Sequence, residues 1–361
     1  MAITGPSIIE TPQSAQVLSL SSRAFKMAYP EVLHQESITS DALGRMQPTW
    51  NTPDFPERQV TVSILNEVYV AQEGLVFDAH GNLFASSVTQ HEPDKIALGF
   101  NSVLKALRSG CEMYCKRTAV LCKKRGADNY GHWLMEMLPK AYLSRLFLDH
   151  GDLDYLVSYN KSSLRTVIQD SLAMLDITRR RTLETGFEAV KVQSLVLFDG
   201  LTNHGVYMSP IVMDCIESVS ARVQAKPSSK VFVTRESQST RRLVDEAPIQ
   251  ELARMRGYEI VDPGSLTFSE QISVFKSAKH VVGVMGAGMT NIALAPRHCR
   301  VTVLAPAGMP DTFFWFMAGL KGQRYEEIRC GQAENGGSRP DADRDIFIRH
   351  HDIENLFDAE L

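Results

Sequence analysis

Three groups of residues in this sequence have types and spacings suited to chemistry. In Asp128-Asn129-Tyr130-Gly131-His132-Trp133-Leu134-Met135-Glu136-Met137-Leu138-Pro139, a glycine-containing turn opens an apolar run, and Glu136 follows His132 by four positions. Positions four apart share a helical face. An imidazole and a carboxylate placed there can form a general-base pair, each steadying the protonation state of the other; the same pair would equally serve as a buried hydrogen bond that anchors the helix. The second group is Phe232-Val233-Thr234-Arg235-Glu236-Ser237, continuing to Thr240-Arg241-Arg242, with three arginines within eight residues at the end of an apolar run. Guanidinium groups at the carboxyl end of a strand match phosphate oxygens, although a solvated loop with surface ion pairs has the same composition. The third is Met285-Gly286-Ala287-Gly288-Met289-Thr290-Asn291, where a strand passes through small residues into an apolar segment. Free backbone N–H groups at the start of such a helix suit a diphosphate. The glycine order is neither the dinucleotide fingerprint nor a P-loop, and tight strand-to-helix packing alone would also ask for glycine.

Each group needs a sheet to present it. Between Thr118 and Val231 the chain alternates strand and helix: Ala119-Val120-Leu121, then Trp133 to Leu148, then Tyr155-Leu156-Val157, and later Leu195-Val196-Leu197-Phe198. A second set follows the polar stretch Gln224-Ala225-Lys226-Pro227-Ser228-Ser229, with strands at Lys230–Thr234, Tyr258–Val261, His280–Val284 and Arg300–Leu304 and helices near 247–256 and 269–277. Such alternation implies βαβ units around parallel sheets, with ligands expected at the carboxyl ends of the strands. Upstream, Val60–Leu65, Val68–Val70 and Gly74–Phe84 alternate with a period of two, and His80-Gly81-Asn82 marks a hairpin turn. The prolines at 6, 12, 30, 48, 53 and 56 make the first 59 residues an irregular lead-in with some short helix. The expected organisation is this lead-in (1–59), a lobe over 60–226 and a second lobe over 227–361 whose C-terminal tail is free to pack back on the first. Glu334-Asn335-Gly336-Gly337-Ser338-Arg339-Pro340 reads as a surface loop.

Composition narrows the classes. At 361 residues, with 44% hydrophobic and 22% charged residues, the chain has material for about two folded cores. A net charge of −4 argues against a nucleic-acid binder, which needs a clustered basic excess. Six dispersed cysteines are expected as reduced thiols, and Cys111, Cys115 and Cys122 fit no common zinc spacing. No secretion signal is legible over Met1–Ser22, and no stretch approaches the about 20 apolar residues of a membrane span, so a cytoplasmic protein is expected.

Taken together, Asn129…His132-Trp133-Leu134…Glu136…Leu138-Pro139, Thr234-Arg235…Arg241-Arg242…Glu246, Phe268-Ser269-Glu270-Gln271 and Gly286-Ala287-Gly288-Met289-Thr290-Asn291, in that order, resemble glycosyltransferase family 61. Gly74…Val76-Phe77-Asp78…Gly81 upstream and Trp315…Ala318…Tyr325 downstream match it as well, extending the resemblance over residues 60 to 356. The resemblance implies an α/β chain of GT-B architecture, two Rossmann-like doubly wound lobes facing a cleft. Implied with it is an inverting transfer of a sugar from a nucleotide-diphosphate donor, a UDP-sugar foremost, to a hydroxyl of a saccharide acceptor, with neither cofactor nor metal. Bacterial relatives are linked to capsular or other surface polysaccharides, which makes the inner face of the membrane, reached by peripheral association, the expected place of work. Carried over by position, Asn129, His132 and Glu136 fall to catalysis, and Arg235, Arg241, Arg242, Glu270, Gly286, Ala287, Gly288, Thr290 and Asn291 to the donor. Where the family often has His before Gly-Ala-Gly, this chain has Met285. Glu136, His132 and Asp128 compete as base. Chemistry favours Glu136, because burial on an apolar face raises a carboxylate's proton affinity toward neutrality, while Asp128, ahead of the turn, suits a cap. A non-catalytic nucleotide- or sugar-binding relative and another nucleotide-sugar enzyme stand as alternatives; a dehydrogenase or epimerase would want the dinucleotide glycines that are missing.

Overall fold

Runs of Val, Ile and Leu without polar alternation belong in strands buried on both faces, the condition of a parallel sheet covered by helices. The computed structural model has two mixed α/β sheets built around such strands; it describes residues 5–148, 153–227, 230–333 and 339–357. The chain divides into two compact units, one of Met1–Arg23 with Glu57–Asn203, the other of Ala24–Pro56 with His204–Leu361.

In the first unit, the parallel half of the sheet runs in the order Val190–Asp199, Tyr114–Leu121, Asp154–Ser158, Thr182–Thr185. From Tyr114–Leu121 the chain crosses over to Asp154–Ser158 on one side, and it comes back as Val190–Asp199 on the other. The strand order therefore reverses between Leu121 and Asp199, and open α/β sheets bind ligands beyond the carboxyl ends of strands at such a reversal. Val190–Asp199 also pairs antiparallel with Arg58–Ala71, a single 14-residue strand where the sequence reads two short runs. Leu75–Phe77 and Leu83–Phe84 form the expected hairpin, closed by Gly81 at a φ of +84°. Side chains from the central strands, among them Leu65, Val76, Ala119, Leu121, Leu156, Val192 and Leu197, fill one core; burying each leucine or valine contributes about 1.5–3 kcal/mol.

The second unit carries the order Glu259–Val261, Lys230–Val233, His280–Val284, Arg300–Pro306, Arg324–Gln332, all parallel. Here the reversal falls between Val233 and Val284, so the same rule points to the segments that start at Thr234 and Met285. Every residue of His280–Val284 is buried, as its position in the sheet requires. Helix Phe268–Phe275 starts on a capping box, with Thr267 accepting from the Glu270 backbone N–H and Glu270 accepting from the Thr267 backbone N–H. The lead-in is less irregular than its prolines suggest: Gln16–Ser22 joins the first sheet, Glu31–Leu33 pairs with Arg324–Gln332, and Ser40–Trp50 is a helix capped by Thr39. The C-terminal helix His350–Leu356 packs on this unit's own core, with the Phe357 ring tilted against Phe232 and edge-on to Tyr258. Among the described residues, no helix is long and apolar enough to cross a membrane. Most of the Glu334–Pro340 loop, and the last two residues of the 224–229 linker, lie outside the described residues.

Candidate active site

In the first unit, the helical segment 130–147 follows the strand Tyr114–Leu121 and carries the His–Glu pair. Asn129 starts it as the N-cap, its side-chain oxygen accepting from the backbone N–H of Gly131 at 2.8 Å and of His132 at 3.4 Å. Trp133–Met137 is wound as a π-turn, closed by the Leu138 N–H donating to the Trp133 carbonyl. Pro139 explains the widening, since it lacks an N–H and its ring would strike the carbonyl four residues back in a regular helix. Within this turn His132 Nδ1 and Glu136 Oε2 share a short hydrogen bond. The two differ sharply in access: the Glu136 side chain is fully buried, whereas that of His132 is 17% exposed.

Two neighbours of the pair were not singled out by sequence. The Lys124 ammonium lies 3.1 Å from Glu136 Oε1 and is itself buried, so the carboxylate is bracketed by a cation and an imidazole. Gly126, at a φ of +80°, packs against the imidazole, and a Cβ there would stand 2.7 Å from His132 Cδ2. Both come from the loop that leaves the strand, where nothing in local spacing ties them to residues further on. With Glu136 ionised, this hydrogen bond would place the proton on His132 Nδ1 and leave the lone pair on Nε2, the tautomer a general base needs.

In the second unit, Arg235 and the Gly286 segment meet at the strand-order reversal. Arg235 is buried, and its guanidinium lies directly over Gly286, where a Cβ would collide with Nη1. This glycine is required by that close approach and not by its φ of 165°, which is extended backbone. Arg235 Nη2 donates to the Thr240 carbonyl at 3.1 Å, while Nε has no partner among the described residues. Burial, and then the neighbouring Arg241, hold its pKa down at about 10. Such a cation gains from an anion arriving beside it. Arg241 joins it, with Nη1 at 3.4 Å from the Met285 carbonyl. Arg242 turns elsewhere: its backbone N–H, Nε and Nη2 all bind the Asp345 carboxylate, at 2.9, 3.3 and 2.9 Å.

The remaining donor candidates are distributed. Ala287 and Gly288 open a 3₁₀ turn, Ala287–Leu294, and are half-buried. Thr290 is fully buried with no partner for its hydroxyl among the described residues. Asn291 braces the fold, its amide donating to Gln271 Oε1 at 2.9 Å and the Gly288 carbonyl at 3.1 Å. Glu270 is the exposed acid of the capping box, held below the usual carboxylate range by the Thr267 hydrogen bonds. All six cysteines are free thiols. His34, His351 and Asp352 bring ligand atoms within 4.8 Å of one another, but Arg349 occupies His34 Nδ1, and a metal ion there would face the guanidinium charge.

A family model described as Glycosyltransferase 61 matches residues 130–302, which take in His132, Glu136, the arginine segment and the Gly286 turn. The match supports a place in that family, and with it a glycosyltransferase that uses a sugar donor and an acceptor. None of the curated proteins matches the chain.

Proposed function

We propose that this chain is an inverting, metal-independent glycosyltransferase of GT-B architecture that moves a sugar from a nucleoside diphosphate, UDP foremost, to a saccharide hydroxyl in surface-polysaccharide synthesis at the inner face of the membrane. The carrying observation is the His132–Glu136 pair, set on the helix after a parallel strand and inside the matched segment. Burial supports His132 as the base in place of Glu136, because only the histidine has exposed surface through which to reach a hydroxyl. Glu136 then fixes the ring and its tautomer and steadies the imidazolium that forms, with Asn129 holding the helix start. His132 accepts the acceptor's proton as the acceptor oxygen bonds to the anomeric carbon. The bond from that carbon to the diphosphate breaks with its electron pair, and one displacement inverts the configuration. Arg235, Arg241 and the backbone at Gly286–Gly288 meet the charge that develops on the leaving diphosphate.

The test is release of nucleoside diphosphate from a panel of nucleotide sugars, with and without chelator. UDP or GDP at about 100 times its dissociation constant is expected to stabilise the protein by about 2.7 kcal/mol in the presence of EDTA. A thermal shift that requires magnesium or manganese would remove the metal-independent reading.

The arginines should separate. Arg235→Ala is expected to weaken nucleotide binding by about 1.5–3 kcal/mol, the worth of a charge-assisted contact. Arg242→Ala, whose partner is Asp345, is expected to lower thermal stability modestly and leave nucleotide affinity near wild type. Equal losses of affinity by calorimetry in both variants would place Arg242 in the donor site as well.

A further inference from the structure

The reversal point of the first sheet holds a small recess of about 30 Å³ that His132 does not line. Lys123 and Lys124 enter it from the end of Tyr114–Leu121, Asp199, Gly200 and Thr202 from the end of Val190–Asp199, and Lys140 from the helix. All three lysines are buried, at 2%, 5% and 7% exposure. Lysines are almost never buried without a partner, and two of these have one. Lys123 donates to Thr185 Oγ1 at 3.0 Å and the Gly186 carbonyl at 2.9 Å, and Lys124 pairs with Glu136. Lys140 makes no hydrogen bond and no ion pair with any described residue. The titratable groups that act on it are Lys124, which repels it, and Cys122, Glu136 and Asp199, which favour its charged form from beyond ion-pair distance. Asp199 already accepts from the Gly200 N–H at 2.7 Å.

We propose that this recess binds an oxyanion of the acceptor, a carboxylate or a phosphate, with the Lys140 ammonium as its principal contact and Lys124 as the second. A bound oxyanion would supply the missing partner of Lys140 and relieve the repulsion between the two ammonium groups. Because Lys124 also touches Glu136, a charge held here fixes its carrier next to the reacting pair. The acceptor class implied is an acidic saccharide, a uronic acid or a sugar phosphate, and not a neutral glycan. That assignment rests on the transferase reading, whereas the anion site itself does not. Burial, and then Lys124, press the pKa of Lys140 down to about 8, which leaves the residue mostly cationic at neutral pH and able to gain charge when an anion enters.

The probes are inorganic phosphate, glucose 1-phosphate and glucuronate, with glucose as the neutral control, titrated by calorimetry against the full chain. At least one anionic probe is expected to bind, with glucose at least about tenfold weaker, and Lys140→Met should weaken the anion by about tenfold or more while leaving UDP affinity unchanged. Phosphate-bearing probes binding alone would name a phosphorylated acceptor; glucuronate binding alone would name a uronic acid. Should Lys140→Met fail to fold, protection of Lys140 from acetic anhydride by the same probes in the wild type gives the answer instead. No anion binding, or binding that neither depends on Lys140 nor protects it, overturns the site. Anion binding without any sugar transfer would leave the site standing and remove the transferase reading, while transfer confined to neutral acceptors, with no anion binding, would do the reverse.

Discussion

His132→Ala is expected to lower sugar transfer by about 10²–10⁴-fold, the range for a positioned acid or base, with nucleotide affinity within about twofold of wild type. The expectation follows from access and tautomer together. Glu136 is fully buried between Lys124 and His132 and can act on a hydroxyl only through the imidazole. Glu136→Gln should therefore also lose transfer, through loss of the imidazolium's counter-charge, and it should lose stability too because Lys124 is left buried beside a neutral amide. The comparison that separates the two roles is rescue: added imidazole is expected to restore part of the activity of His132→Ala and none to Glu136→Gln. Near-normal transfer by His132→Ala, alongside an inactive but folded Glu136→Gln, would return the base to Glu136.

The parts of this site that sequence makes legible are those set by local geometry. A spacing of four on an apolar helix puts His132 against Glu136, and buried runs such as His280–Val284 announce parallel strands that must end in ligand-facing turns. What escapes is set by neighbours distant in sequence. Arg241 and Arg242 are adjacent, yet one reaches the Met285 carbonyl and the other is taken by Asp345, 103 residues on. Lys124 and Gly126 have no periodic relation to His132, so their part in holding it appears only once the strand and helix are packed. Gln16–Ser22 is hidden for a different reason. Most of the strand is solvent-facing, with Val17 51% exposed, and its pairing with Arg58–Ala71 comes from backbone hydrogen bonds that composition does not record.

In the second unit the largest effect on stability is expected at Arg329→Met, a loss of about 3–5 kcal/mol by denaturant titration, the cost of breaking a buried ion pair from one side. Arg329 and Glu327 are fully buried and paired within the strand Arg324–Gln332. Arg329 also donates to the Pro306 and Met309 carbonyls, each at 2.9 Å, and its guanidinium approaches Met46 Sδ at 3.2 Å and the Trp50 ring at 6.0 Å. It thus ties the lead-in helix Ser40–Trp50 to the sheet, a role that the proline-rich lead-in does not advertise. Without the arginine, Glu327 keeps, among the described residues, only the hydrogen bond from the Tyr325 hydroxyl at 2.6 Å. Burial already raises the Glu327 pKa against the pull of Arg329, and removing that pull raises it further. A carboxyl whose folded pKa lies above its unfolded value of about 4.3 costs the folded state more as pH rises between the two. The deficit of Arg329→Met relative to wild type should therefore be smaller at pH 5 than at pH 8. Adding Glu327→Leu should recover part of the loss and flatten that pH dependence, but not all of it, because the two carbonyls stay without their donor. A loss under about 1 kcal/mol in the single variant, or a deficit that shrinks as pH rises, would show that the pair does not hold this strand as its geometry implies.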